Sequence, residues 1–296
     1  MPTLIVLGFA GLLAQLVDGS LGMGYGVTST TILVAAGIAP AAASAAVHFA
    51  QIGTTLATGI SHHKFGNVDW RIVAILAGPG AVGAFIGATA LTRLSSAAAK
   101  PIVASLLLVL GFYVLYRFLR LGGRRPQFSG QISARFLVPL GFAGGTLDAF
   151  GGGGWGPVGT TTLLSSGRVE PRKVVGSISA SEFVVAVSAS IGFLFGLGAA
   201  GINWAFAAAL LVGGVIAAPF AAWMVRHLSP RVLGTAAGGL IIITNTFTLL
   251  NSTGAGALVI APVLGTLFLA WIVLVAHAVR AVRRERTPDP VLVTTT

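Results

Sequence analysis

Apolar segments follow one another along almost the whole chain, with only short polar stretches between them. Of the 296 residues 55% are hydrophobic and 8% are charged, which is too little charge to cover a soluble domain of this size. A helix needs about 20 apolar residues to span a bilayer, so the sequence predicts an all-α, polytopic membrane protein. The apolar segments run at about residues 3–19, 25–38, 41–61, 71–92, 101–119, 136–149, 156–167, 174–197, 202–225, 231–250 and 256–279.

The composition also excludes several classes of protein. A soluble enzyme, a disordered chain and a secreted disulfide scaffold do not fit this hydrophobic content. The chain has no cysteine, which removes thiolate metal sites, iron–sulfur clusters and disulfides. No carboxylate stands at ligand spacing beside His62 and His63, and no serine, histidine and acid form a recognisable catalytic set. We therefore expect no metal, no cofactor and no enzymatic activity.

The net charge of +11 predicts an orientation in the membrane. If each apolar segment crosses the membrane once, every Lys and Arg except Arg93 and Lys100 lies on the same side of the membrane. Merging each short segment with its predecessor spreads the cations more evenly, so we favour the first interpretation. Cationic loops are typically cytoplasmic, which predicts a plasma-membrane protein with its N-terminus outside and its C-terminus in the cytoplasm. Lipid, and not nucleic acid, is then the partner of the positive charge.

The two halves of the chain resemble each other. Leu7–Gly11 recurs unchanged as Leu140–Gly144, and further matches follow in order: Asp18 with Asp148, Gly22 with Gly152, Gly24 with Gly154, Tyr25 with Trp155, Phe49 with Phe183, and Trp70 with Trp204. An odd number of segments precedes the second copy, so the repeats should have inverted topology, a common feature of transporters. The predicted division is a first repeat at 1–119, a cytoplasmic basic linker at 120–135, a second repeat at 136–251, an extra C-terminal helix at 252–279 and a cytoplasmic tail at 280–296.

Each half contains a glycine run, at residues 19–26 and 151–156, between two apolar segments. Non-helical backbone at membrane depth is tolerated only inside protein or beside a wet cavity, so the runs predict short broken or hairpin helices. Hydroxyl residues follow both runs, and free N–H groups at a helix N-terminus bind anions. The candidate substrate-binding residues are Gly22, Gly24, Gly26, Thr28, Ser29, Gly152, Gly153, Gly154, Gly156 and Thr160. The alternative is close helix packing, the role expected of scattered glycines such as Gly78, Gly80, Gly83 and Gly87.

Four ionisable residues fall inside apolar segments: Asp18, His48, Asp148 and Glu182. Charged side chains in a membrane are costly and usually face a cavity or one another. They are therefore candidates for proton coupling, with Gln51 as a polar neighbour one helical turn from His48. For the two aspartates an equal alternative is that each caps the backbone of its glycine run.

The glycine run with its small-residue helix, the sequence from Gly59 to His62, the loop Gly66-Asn67-Val68-Asp69-Trp70 and the repetition after a basic linker resemble the sulfite exporter TauE/SafE family of membrane permeases. The resemblance covers residues from Leu7 to about Asn251. It implies a multi-pass plasma-membrane transporter for sulfur-containing anions such as sulfite, thiosulfate or organosulfonates.

These observations lead to one hypothesis and two alternatives. The hypothesis is a proton-coupled secondary transporter that holds a small anion between the repeats with backbone amides and hydroxyls. One alternative is a transporter of H⁺ or Na⁺ with Asp18 and Asp148 as ligands. The other is a non-transporting intramembrane enzyme or assembly protein. The sequence does not indicate an oligomeric state.

Overall fold

The structure, a computed structural model, describes residues 2–21, 24–120, 132–166, 168–224 and 230–286, and these residues are helical with no strand. This confirms the prediction of an all-α polytopic membrane protein. The described α-helices are α1 (Pro2–Leu21), α2 (Tyr25–Ala35), α3 (Pro40–Lys64), α4 (Trp70–Arg93), α5 (Ser96–Leu119), α6 (Ala134–Gly151), α7 (Thr161–Ser166), α8 (Pro171–Leu197), α9 (Trp204–Met224), α10 (Pro230–Ser252) and α11 (Ala257–Arg286), with a π-helical turn at Trp155–Thr160 and a 3-10 turn at Ala199–Gly201.

The helices differ in whether they can cross a membrane alone. Four described spans are long and apolar enough to do so: Trp70–Arg93, Ser96–Leu119, Lys173–Leu197 and Ala257–Arg284. Shorter apolar stretches lie at Thr3–Asp18, Tyr25–Ala35 and Trp204–Ala218. Helix α2 has 11 residues, which at about 1.5 Å per residue covers roughly half of a bilayer core. The short helix after the first glycine run is thus present as predicted.

Helix ends follow local sequence signals. The Asp69 carboxylate accepts hydrogen bonds from the backbone N–H groups of Arg71 and Ile72 and so caps α4. The Ser95 hydroxyl likewise accepts the N–H of Ala98 at the start of α5. Pro40 and Pro171 begin α3 and α8, where a missing N–H costs nothing.

The helices of the first half pack mainly against those of the second half. Helix α1 lies along α9, α4 along α6, α3 along α8, and α5 along α10. The first half contains α1–α5 and the second half α6–α10. The first helix of each half therefore packs against the fourth helix of the other half. The third helices of the two halves pack against each other, and so do the fifth helices. Helix α11 packs against α10, and Trp271 Nε1 donates to Ala236 O at 3.0 Å.

Glycines bring two of these helix pairs into backbone contact. A Cβ atom on Gly145 of α6 would meet the backbone of Gly80 in α4, and one on Gly213 of α9 would meet the backbone of Gly8 in α1. Gly83 and Gly87 also face α6 at short range, as predicted for packing glycines. That prediction is wrong for Gly78, because among the described residues no atom of another helix lies within 4 Å of a Cβ built there.

Parts of two predicted segments lie outside the described residues. They are residues 121–131 of the basic linker and 287–296 of the tail. The inverted topology of the repeats and the division of the chain at 119, 135, 251 and 279 stay predictions.

Candidate functional site at the two helix breaks

Both glycine runs interrupt a helix. Helix α1 ends at Leu21 and α2 begins at Tyr25, and Gly24 before it has a φ of 123°, a value that L-amino acids with side chains rarely adopt. Helix α6 ends at Gly151, and Gly152 follows in the left-handed conformation with a φ of 65°. Helical structure resumes at Trp155 as a π-helical turn, which the sequence did not predict. We call the connection between Leu21 and Tyr25 the first break, of which Gly24 is described while Gly22 and Met23 lie outside the described residues, and we call residues 152–154 the second break.

The start of α2 and the second break touch each other. A Cβ on Gly26 would collide with the carbonyl group of Gly152, and a Cβ on Gly153 would collide with the backbone of Val27. A Cβ on Gly152 would meet the hydroxyl oxygen of Thr30. These contacts need residues without side chains on one side of each pair. The structure thus brings the candidate glycines of the two halves together in one place.

Each break is followed by an aromatic residue that packs on a glycine of the other half. Trp155 lies against Gly80 of α4, and its Nε1 donates to Ile178 O at 3.1 Å. Tyr25 lies against Gly214 of α9, and its hydroxyl donates to Leu210 O at 2.9 Å. Both side chains are almost completely buried, each in its own hydrophobic cluster.

The two aspartates cap the helices that follow the breaks. Asp148 Oδ1 accepts the backbone N–H of Trp155 at 3.1 Å. Asp18 Oδ1 accepts the backbone N–H of Tyr25 at 3.4 Å. The geometry is thus that of the capping alternative, and a role of these residues in coupling stays a prediction.

His48 of α3 joins the second break through Asp148. Its Nε2 lies 3.2 Å from Asp148 Oδ2, and its Nδ1 lies 2.8 Å from Ser44 O. A carbonyl oxygen only accepts, so Nδ1 carries a proton. The contact with Asp148 needs one further proton, on Nε2 or on Oδ2. Without that proton, the Nε2 lone pair would face a carboxylate with both groups buried.

Ser44 strengthens the same connection. Its hydroxyl donates to Ala149 O at 2.7 Å and lies 3.3 Å from His48 Nδ1. Helix α3 therefore holds the end of α6 through two side chains one turn apart.

Glu182 of α8 stands at the position of the second half that matches His48, but its partner differs. Gln51 Nε2 donates to Glu182 Oε1 at 2.9 Å. Gln51 is thus the polar neighbour of Glu182.

Three consecutive hydroxyl residues of α2 carry oxygen atoms without a hydrogen-bond partner among the described residues: Thr28, Ser29 and Thr30. Thr28 is 7% exposed and the other two are completely buried. Buried hydroxyls in proteins are normally hydrogen-bonded, so these three oxygens need a partner that the described residues do not supply. Thr160 and Gly156, both in the π-helical turn, are also buried.

Sequence reasoning missed Gln15 and the role of Ser44. The Gln15 side chain is 1% exposed, and neither its Oε1 nor its Nε2 has a partner within the described ranges. Gln15 could have been found from its amide side chain, which lies in an apolar helix one turn before Asp18 and on the same side of α1. Ser44 likewise lies one turn before His48 on the same side of α3.

The buried ionisable side chains of the described core are Asp18, His48, Asp148 and Glu182, with no Lys or Arg among them. No group of three or more His, Cys, Asp or Glu that could hold a metal ion occurs in the described part of the chain.

A polytopic helical protein with two broken helices meeting at a buried polar centre has the features of a membrane transporter. The chain belongs to the sulfite exporter TauE/SafE family, whose model matches residues 7–248. A relative in Bacillus subtilis (strain 168), the probable membrane transporter protein YtnM, is 51% identical over 254 residues, which cover 85% of this chain and 84% of the relative. No solved structure matches the chain. The resemblance stated from the sequence is confirmed, and the protein is a membrane transporter of this family.

Proposed function

We propose that the protein is a secondary transporter of small sulfur-containing anions such as sulfite, thiosulfate or organosulfonates, and that it binds them where the two breaks meet. The observation that carries the proposal is the set of buried hydroxyls of Thr28, Ser29 and Thr30, which have no partner in the described chain. They stand in the first two turns of α2, where the helix dipole favours an anion.

The backbone of both breaks supplies the remainder of the proposed site. Gly24 and Gly26 would form one wall with the α2 hydroxyls, and Gly22, which lies outside the described residues, stays a predicted member of the site. The opposite wall consists of Gly152, Gly153, Gly154, Gly156 and Thr160. Because the described core holds no buried Lys or Arg, hydrogen-bond donors and the helix dipole would compensate the charge of the substrate.

Proton coupling would act through the proton shared by His48 and Asp148. Its loss would place an imidazole lone pair against a carboxylate and weaken the connection between α3 and the second break. Asp18 and Glu182 are the other titratable groups of this centre. A proton taken up or lost here would therefore change how firmly the second break is held.

Inverted repeats would place this centre between the two halves. Two symmetric features support that arrangement. The first helix of each half packs against the fourth helix of the other half, and the aromatic residue after each break packs on a glycine of the other half. We keep the orientation inferred from the cations, with the N-terminus outside and the C-terminus in the cytoplasm of the plasma membrane.

Flux measurements in proteoliposomes test the substrate site. Ser29→Ala removes a hydroxyl that no described residue uses, so the fold should persist while hydrogensulfite flux falls about ten-fold. Ser190→Ala is the matched control, because Ser190 of α8 is equally buried and unpartnered but lies eight residues, about 12 Å, beyond Glu182. Equal flux in both variants and the unchanged protein would contradict the site. No anion flux, with H⁺ or Na⁺ moving instead, would favour the cation alternative.

A second experiment tests coupling. Glu182→Gln keeps the shape of the side chain and removes its titration, so we expect the pH dependence of anion flux to flatten. An unchanged pH profile would remove Glu182 from the coupling mechanism and leave His48 and Asp148.

A further inference from the structure

Gln15 is a buried amide side chain to which no role has been assigned so far. It lies in α1 and is 1% exposed. Neither its Oε1 nor its Nε2 has a hydrogen-bond partner among the described residues. Burial of a polar group without a partner costs free energy, because the group loses its hydrogen bonds to water. The amide therefore needs a partner that the described residues do not supply.

The position of Gln15 relative to α2 follows from the directions of the neighbouring helices. Helix α1 runs in the same direction as α9, since their contacts advance along both helices in the same order. Gly8 faces the carbonyl oxygen of Ala209. Gly213, one turn further along α9, faces the backbone between Gly8 and Leu12.

Helix α3 also runs in the same direction as α9. The ring of Phe49 packs against that of Trp204, and Gly53, one turn further along α3, faces Leu211 of α9. Helices α1 and α3 thus share one direction and contact overlapping parts of α9. The chain that leaves α1 must therefore return before α3 begins. Helix α2, which packs on both of them, makes this return and forms a hairpin with α1.

The hairpin places Gln15 at the level of the open hydroxyls. Asp18 Oδ1 accepts the N–H of Tyr25, which sets the register of α1 against α2. Gln15 lies one turn before Asp18 on the same side of α1, and Thr28 and Ser29 lie one turn after Tyr25 on the same side of α2. Because the two helices run in opposite directions, both steps lead to the same level.

The side chain of Tyr25 shows which side of α1 faces the hairpin. Its backbone N–H donates to Asp18, and its hydroxyl donates to Leu210 O, the same carbonyl oxygen that Gly11 faces. Tyr25 therefore extends along α1 from Asp18 towards Gly11. Gln15 lies between these two residues on the same side of α1, so its side chain is beside the Tyr25 ring.

The groups at this level suit an oxyanion. The Nε2 of Gln15 and the hydroxyls of Thr28 and Ser29 all donate hydrogen bonds, and the oxygens of an anion accept them. None of these three side chains is bonded to another, so each keeps its donor for a ligand. Hydrogen bonds to a charged acceptor are about twice as strong as those between neutral groups. The Oε1 of Gln15 can accept from a water molecule or from the O–H group of hydrogensulfite.

We propose that Gln15 is a further substrate-binding residue, whose Nε2 donates to an oxygen of the anion bound by Thr28 and Ser29. The inference rests on the proposed function and adds α1 to the site. It also explains why an amide that has no partner in the described chain occupies a buried position of an apolar helix. The donor has to be neutral or positive, since a carboxylate at this position would repel the anion.

Gln15→Met tests the proposal, because methionine has a similar length and no hydrogen-bonding group of this kind. Replacing an unpartnered amide by an apolar group should leave the denaturation midpoint unchanged or higher. In proteoliposomes, the apparent KM for methanesulfonate, an organosulfonate with a fixed charge near neutral pH, should rise about ten-fold while kcat changes less than about two-fold. Gln15→Glu keeps the shape of the side chain and should raise the KM further.

Ser190→Ala is the matched control, since Ser190 of α8 is another buried polar residue without a partner among the described residues. Its KM and kcat should equal those of the unchanged protein. An unchanged KM in Gln15→Met, or in Gln15→Glu if the first variant does not fold, would overturn the role of Gln15. Loss of flux in Ser29→Ala would then still support the proposed site. If the unchanged protein moves neither methanesulfonate nor hydrogensulfite, the proposed function fails and the inference fails with it.

Discussion

The two breaks have matching sequences but different surroundings. At the second break, Asp148 accepts the N–H of Trp155 and contacts His48, while Ser44 donates to Ala149 O. At the first break, the described contacts of the Asp18 carboxylate reduce to one hydrogen bond from the N–H of Tyr25, at 3.4 Å. Among the described residues, side chains of α3 hold the second break. Helix α2, after the first break, is held by the Tyr25 hydroxyl, which donates to Leu210 O, and by Asn245 Nδ2, which donates to Thr31 Oγ1.

This difference indicates that the two breaks have different roles, although their sequences match. Buried hydroxyls without a partner in the described chain occur in α2, after the first break. The second break provides a fixed wall for them, through the contact of Gly152 with Thr30. We infer that the region of the first break binds the anion and adapts to it. The second break keeps its position and, through His48 and Asp148, responds to protons.

The largest expected effect separates the two aspartates. Asp148→Ala leaves both the Trp155 N–H and His48 buried without their partner, and should lower the free energy of unfolding by about 3–5 kcal/mol. Asp18→Ala removes one long hydrogen bond and should cost about 1 kcal/mol. Denaturant titration of the purified variants in detergent measures both values. Equal losses would show that the breaks are held equally and would contradict the comparison.

A second prediction tests the contact between the halves. Gly26→Ala places a methyl group on the carbonyl of Gly152 and should destabilise the protein by about 1–3 kcal/mol or more, with loss of flux. Gly78→Ala is the control in a helix with open space, where alanine should be neutral or stabilising by up to about 1 kcal/mol. Thermal melting and flux report both effects. A Gly26→Ala variant as stable and active as the control would mean that the breaks do not meet.

The smallest effect concerns Ser44. Ser44→Ala removes the hydrogen bond to Ala149 O and should cost about 0.5–1.5 kcal/mol. Ser190→Ala removes a buried hydroxyl that has no partner among the described residues, and should be neutral or slightly stabilising. The difference between the two denaturation midpoints sharpens the comparison, because only Ser44 contributes to the second break. A loss in Ser190→Ala as large as that in Ser44→Ala would argue against this role.

Much of the fold could be predicted from the sequence because its signals are local. Apolar runs of suitable length predicted the helices, and glycine runs predicted the breaks after Leu21 and Gly151. The repeat matched Asp18 with Asp148, and each of these two residues caps the helix after its break.

The partners across the core could not be predicted in this way. His48 contacts Asp148 and Glu182 contacts Gln51, although the repeat places His48 and Glu182 in equivalent positions. These contacts join residues 100 and 131 positions apart, and no local pattern encodes which helices bring them together. The π-helical turn at Trp155 was not predicted either, because the repeat matches Trp155 with Tyr25, which begins an ordinary α-helix.

The most direct test of this account measures amide hydrogen exchange in the purified protein with and without saturating methanesulfonate. We predict that the ligand slows exchange most in residues 24–30, less in residues 152–158, and not in α11, which lies away from the proposed site. Protection confined to the second break, or no change at either break, would contradict the claim that the first break binds the anion.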